Sequence, residues 1–220
     1  MIKKEQINSI IGITVIILFF ITTSYIVQQN LDITIAYFDY GYFGMVVYVL
    51  LTSISIVIVP VNVIPLMPLA SGLWGWFVTG ILSVIGWTIG AVIAFLLARH
   101  YGVELVKKLI PIEKIHKFER LIPEKNLFFT VIFLRMVVPV DGLSYLLGLF
   151  SRMSLISYTL ATFIGLIPFS FIWAYAGTLP LLYQLFFLVI AFVVFIFGVF
   201  IANYRKKLKE KREKFSKKSL

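Results

Sequence analysis

The chain has 220 residues, 60% of them hydrophobic and only 14% charged, with a mean hydropathy of +1.00. No soluble domain of this length carries that balance, so the composition describes a polytopic membrane protein. The lack of cysteine excludes disulfides, thiolate metal sites and thiol catalysis, and the formal charge of +10 is mostly a tail, since nine of the twenty basic residues lie between Arg205 and Lys218.

In chain order, Lys3 and Lys4 precede an apolar run from Ile10 to Val27. Thr22-Thr23-Ser24-Tyr25 is a poor cleavage site, which favours an uncleaved first helix over a signal peptide. The segment from Asn30 to Tyr40 carries Asp32 and Asp39 and no basic residue. Gly41 to Val59 is apolar, and Pro60, Pro65 and Pro68 then stop any continuous helix. A new apolar helix is expected from near Leu73 to Arg99, with Gly72, Gly75, Gly80, Gly86 and Gly90 along it; Gly86 and Gly90, four apart, share a face suited to close helix contact.

From Arg99 to Asn126 the pattern turns amphipathic. Ile112, Ile115, Phe118 and Leu121 or Ile122 recur at helical spacing opposite Glu113, Lys114 and Lys117, as in a helix lying on the membrane surface. Phe128 to Phe150 is apolar but holds Arg135, Pro139, Asp141 and Gly142 near its middle. An ionisable group at membrane depth costs roughly 2.5–3.5 kcal/mol on insertion scales, so it faces a partner or a wet cavity. With a proline and a glycine beside it, this stretch reads as a broken helix or a hairpin dipping into the membrane. Met153 to Tyr175 is a further crossing with a kink expected at Pro168, and Leu181 to Asn203 is the last.

Charge placement sets the topology. The N-terminus, the 99–126 loop with its seven Lys/Arg and the tail are basic and expected in the cytoplasm, whereas Asn30–Tyr40 and Gly177–Pro180 lack Lys/Arg and are expected outside. Parity then requires four crossings, with 41–67 entering and leaving from outside and 128–150 entering and leaving from the cytoplasm. Gly90 to Gly102 and Gly165 to Gly177 have the same glycine spacing, and each follows its proline-bearing hairpin by a similar distance. The fold class expected is an all-α polytopic membrane protein with four full transmembrane helices and two opposed re-entrant helical hairpins in an inverted repeat.

The stretch Pro65-Leu-Met-Pro68-Leu-Ala-Ser71-Gly72-Leu-Trp-Gly75, then Gly86, Gly90-Ala91, Phe95-Leu-Leu-Ala-Arg99 and Gly102, resembles the DedA/VTT superfamily of membrane proteins, also called SNARE-associated. The resemblance continues through Leu134-Arg135-Met-Val-Val-Pro139-Val-Asp141, Tyr145-Leu-Leu-Gly148 and Gly165, and covers roughly Gly41 to Gly177. It implies lipid movement: scrambling or flipping of phospholipids, or recycling of polyprenyl-phosphate carriers, with proton coupling suspected in bacterial members. The chain has no acidic residue between Gly41 and Ala98, and it has Asp141 where the DedA branch has a second arginine. Both departures resemble the TVP-like VTT branch. The chain accordingly divides into residues 1–40, a VTT-like core 41–177, a C-terminal helix 178–204 and a basic tail 205–220.

Arg135 is the expected phosphate ligand, because a guanidinium keeps its charge and offers parallel hydrogen bonds to phosphate oxygens. Its bland alternative is a brace, paired with Asp141 or with hairpin carbonyls. Asp141 is a candidate for proton coupling or gating, Pro139 shapes the same hairpin, and Asn62 and Ser71 are candidates for lining the opposite one, with turn capping the simpler role for both. Pro65, Pro68, Gly72, Gly75, Gly86, Gly90, Gly148 and Gly165 are expected to be structural. Arg99 is expected to snorkel to the interface, and Tyr145 to pack. No cofactor, metal or nucleic acid is expected. The partners expected are membrane lipids, with anionic headgroups under the tail at about 1 kcal/mol per basic residue, a coupled proton and a second copy of the chain. The expected location is the plasma membrane, both termini cytoplasmic. The rival readings are a non-transporting scaffold and an integral-membrane enzyme; the two histidines, His100 and His116, lie in the basic loop with no membrane-depth Ser-His pair.

Overall fold

The structure is a computed structural model that describes residues 4–30, 32, 41–58, 63–109, 126–137 and 142–186. Among these residues the architecture is wholly helical, with no strand. Helix α1 spans Lys4–Gln29, α2 Gly41–Val57, α3 Met67–Leu109, α4 Leu127–Val137, α5 Leu143–Phe150 and α6 Leu155–Thr178; a single 3₁₀ turn, Ile64–Leu66, leads into α3. Residues 1–178 form one compact unit, and 179–220 a second in which 181–186 are helical.

Two stretches, Ile64–Glu104 and Leu155–Thr178, are long and apolar enough to cross a bilayer, while Gly41–Val57 and Leu127–Met136 are shorter apolar helices. The polarity of α2 is inside out. Its large apolar side chains Phe43, Val46, Leu50 and Ile54 are exposed, whereas Thr52, Ser53 and Ser55 are buried. In water that arrangement would be unstable; in lipid it is the favoured one, since tails solvate the outer face and small hydroxyl residues let helices approach. The hydroxyls are used: Ser53 Oγ donates across the helix contact to the Gly86 carbonyl at 2.9 Å, and Tyr48 OH lies 2.7 Å from Ser83 Oγ.

The helix expected from Leu73 begins earlier, at Met67. Pro65 sits in the 3₁₀ turn and Pro68 in the first turn of α3, where a missing N–H costs nothing. Gly75 is not a packing glycine as expected. Its φ of 79° and ψ of 155° break α3 there, and a second break falls at Gly102, φ 66°. Helix α3 thus consists of a short segment 67–74, a long one 76–101 and a last piece to Leu109. The basic loop beyond residue 109, including the amphipathic pattern at 112–122, lies outside the described residues. Helix α6 runs through Pro168.

Each half therefore presents a first helix and, further on, a short helix, a break and a long helix. The two long helices, α3 and α6, pack against each other, and equivalent contacts recur along them. A Cβ on Gly90 would strike the Ser53 carbonyl oxygen and come within 2.9 Å of Ile56 Cβ in α2; a Cβ on Gly165, 75 positions later, would come within 2.9 Å of the Ile132 carbonyl oxygen and 2.7 Å of Arg135 Cβ in α4. The glycine spacing thus marks where each half seats its own first helix. Ile56 and Arg135 occupy matching places. Gly86, one turn before Gly90 in α3, abuts Thr52 of α2, as its spacing predicts.

The short helices exchange partners. In the second half α5 packs on α3, with Gly148 against the Phe95 carbonyl and Ala98. In the first half the segment from Pro68 packs on α6: Gly177 abuts Pro68, and Ser71 Oγ donates to the Ala174 carbonyl at 3.0 Å. The core lies between the long helices and includes Met67, Trp87, Phe95, Tyr158 and Leu166.

Candidate functional site

Arg135 is the largest fully buried side chain of the described residues, 1% exposed. It sits in the last turn of α4, where a cation is favoured by the helix dipole. Its Nη2 donates to Ser144 Oγ at 2.8 Å and to Tyr158 OH at 2.7 Å. Three elements thus meet on one nitrogen: α4 supplies the guanidinium, the first turn of α5 the serine, and α6 the tyrosine. Gly142, the residue before α5, has a φ of 94° and so turns the chain back where a side chain would be strained.

Tyr158 is held on all sides. Its ring stacks on Phe95 of α3 with centroids 4.0 Å apart, and its hydroxyl passes its own proton to the Ala91 carbonyl at 3.2 Å. The phenol oxygen is therefore fixed as an acceptor for the guanidinium. Tyr158, Thr162 and Gly165 form one stripe of α6, at i, i+4 and i+7, with Gly165 backing the Arg135 Cβ.

A guanidinium has five N–H donors, and two of them are spent on Nη2. The remaining three, one on Nε and two on Nη1, have no hydrogen-bond partner among the described residues, although both nitrogens are buried. A buried cation left that way is costly, by about 1–3 kcal/mol for each unsatisfied donor group and more for charged groups. One edge of the cation is fixed by neutral hydroxyls, and the rest offers donors that could take an anion, with no neutralising carboxylate among the described residues.

Of the residues expected at the site, Arg135 is at its centre. Ser71 is buried elsewhere, its hydroxyl donating to the Ala174 carbonyl of α6 and not to its own turn. Asn62, Pro139 and Asp141 lie outside the described residues. Ser144 and Tyr158 were not expected. Tyr145 does more than pack: its hydroxyl donates to the Val57 carbonyl at 2.7 Å, tying α5 to the end of α2. Arg99, expected to snorkel to the interface, is exposed and also makes specific bonds. Its Nη1 donates to the Met153 carbonyl at 3.0 Å and its Nη2 to the Ser151 carbonyl at 2.8 Å, with the guanidinium 4.3 Å over the Phe95 ring. It caps the carbonyls freed where the chain breaks before α6.

Residues 59–179 match the family model of the VTT domain, the domain of DedA/SNARE-associated proteins. The chain belongs to the VTT domain family. The match spans both breaks, both long helices and all of the Arg135 site, so the site is part of the VTT domain and not an addition to it. No solved structure matches this VTT chain. Family membership and the apolar helices together make it a membrane protein.

Proposed function

We propose that this VTT protein moves a phosphate-bearing lipid, a phospholipid or a polyprenyl phosphate, across the bilayer, acting as a transporter or scramblase and not as an enzyme. In this reading 41–67 and 128–150 are two re-entrant hairpins entering from opposite sides of the plasma membrane, four further helices cross it, and both termini are cytoplasmic. The headgroup enters a cavity where the hairpins meet, while the acyl or prenyl chain stays in the surrounding lipid.

The observation that carries the reading is the buried Arg135 with three N–H donors unpartnered among the described residues. Phosphate is the common lipid group that matches several guanidinium donors at once. Asp141, six residues on, is assigned the gating or proton-coupling role: its carboxylate takes the donors when the headgroup leaves and is displaced when it arrives. The exchange of short helices between halves supports a pair of opposed hairpins, since each half's break is supported by the other half's long helix.

The test is the lipid that the purified protein retains, read by mass spectrometry. Wild type is expected to hold phosphate-bearing lipid in preference to neutral glycerolipid. Arg135→Met loses that preference, and Arg135→Lys, which keeps the charge but not the planar fork, retains part of it. Equal retention in wild type and both variants would sink the reading. The topology is checked separately by an impermeant thiol reagent: labelling of Lys117→Cys from outside intact cells contradicts the hairpin arrangement.

A further inference from the structure

The two breaks that precede the long helices are finished differently. In the second half the carbonyls of Ser151 and Met153 are capped by Arg99. In the first half the break is at Gly75, and the position that corresponds to Arg99, 75 residues later, is Ala174. No cation is supplied there among the described residues. Instead two side-chain donors flank the break, and both are buried with no hydrogen-bond partner among the described residues: the Trp74 indole Nε1 and the Thr79 hydroxyl. Thr79 is 0% exposed. A helical threonine ordinarily returns its proton to the carbonyl four residues back, but that residue is Gly75, whose ψ of 155° turns its carbonyl out of the helix.

These donors stand on a polar floor. Ser83, one turn beyond Thr79 on the same face, donates to the Thr79 carbonyl at 2.7 Å, so its single proton is used. Tyr48 OH, 2.7 Å from Ser83 Oγ, must then be the donor of that pair. The Tyr48 ring meets Trp74 edge-on, centroids 5.9 Å apart, which places the indole beside the same cluster. Every proton on the floor is thus spent, and the two unspent ones are those of Trp74 and Thr79. Gly75, beside Trp74 in the chain, is exposed and has nothing within 4 Å of where a side chain would be.

We propose that the break at Gly75 is a second lipid-binding site, in which the Trp74 indole N–H and the Thr79 hydroxyl hold an acceptor oxygen of a lipid's ester or phosphodiester group. Two neutral donors with no cation suit an oxygen that a guanidinium is not needed to neutralise. Such a pair holds a lipid backbone without the strong attraction to charge that Arg135 exerts. Burial explains why the pair has no other use: an unspent donor in an apolar setting demands an acceptor. The site is separate from Arg135, on the first half's own helices.

The experiment uses the full chain in maltoside micelles, labelled with ¹⁵N at the tryptophan indoles. The chain has four tryptophans, so four Nε1–H signals are expected, and Trp74→Phe assigns one of them. Phosphatidylcholine with ester-linked chains, or its ether-linked counterpart, is then titrated in. The proposal expects the Trp74 signal alone to move downfield and saturate. Movement with the ester lipid only identifies a carbonyl oxygen as the acceptor, and movement with both identifies a phosphodiester oxygen; either supports the site. Thr79→Val, which keeps the buried shape and removes the hydroxyl, is expected to need at least several-fold more lipid, with the other three signals unmoved as proof of fold. No saturable shift with either lipid, or an unchanged midpoint in Thr79→Val, overturns the proposal.

Discussion

Gly165→Ala is the sharpest test of how the Arg135 site is built. The added Cβ would stand 2.7 Å from the Arg135 Cβ and 2.9 Å from the Ile132 carbonyl oxygen, where ordinary contacts begin at 3.4 Å. Helices α4 and α6 must part by about 0.7 Å, the difference between 3.4 and 2.7 Å. Because α6 carries Tyr158 as well as Gly165, the same movement stretches the 2.7 Å bond from Arg135 towards the limit of hydrogen bonding. Overpacking of this kind costs about 1–3 kcal/mol. At roughly 2–4 °C per kcal/mol for a chain of this size, the melting temperature should fall by roughly 2–12 °C. Thermal unfolding in detergent, followed by tryptophan fluorescence, reads it, since Trp87 and Trp173 lie in or against the core. Gly12→Ala is the control: nothing lies within 4 Å, so alanine's better helix propensity, about 0.5–1 kcal/mol, leaves stability equal or higher. If Gly165→Ala melts with the wild type, or both variants fall together, the close seating of α4 on α6 is wrong.

Three further outcomes follow from the same contacts. Tyr158→Phe keeps the stack on Phe95 but leaves Arg135 with Ser144 alone, and should cost about 1.5–3 kcal/mol in detergent unfolding, as for a hydrogen bond to a charged group. Arg99→Met uncaps the Ser151 and Met153 carbonyls; it should lower the melting temperature and speed amide hydrogen exchange at the start of α6 more than elsewhere. Gly75→Ala meets no neighbour, yet its φ of 79° and ψ of 155° belong to a region almost confined to glycine, so a loss of about 1–3 kcal/mol is expected from the backbone alone.

Much of this fold can be read from the chain because lipid makes the reading simple: long apolar runs become helices, and glycines four apart become contact faces. Gly86 and Gly90 met that expectation, and the matched spacing of Gly90 and Gly165 marked the positions where each half receives its first helix. Gly75 did not, since an isolated glycine looks the same in sequence whether it admits a neighbour or a positive φ. Arg135 stood out by the cost of its charge, but Ser144 and Tyr158 carried no such mark. Nothing local to an apolar helix says which hydroxyl faces a cation nine or 23 residues away in the chain. The capping bonds of Arg99 were hidden for the same reason: at the end of a helix it reads as an interfacial anchor, and its carbonyl partners lie 52 and 54 residues downstream.

The central claim is that the Arg135 donors without a partner among the described residues carry a lipid phosphate across the membrane. It is tested most directly by purified protein in liposomes containing headgroup-labelled phospholipid or polyprenyl phosphate, with translocation read by quenching from outside. The account predicts measurable transfer by the wild type, loss of most of it in Arg135→Met, and a slowed rate in Asp141→Asn. Wild-type liposomes no faster than empty ones, or an Arg135→Met protein that melts like the wild type and moves lipid as fast, would contradict it.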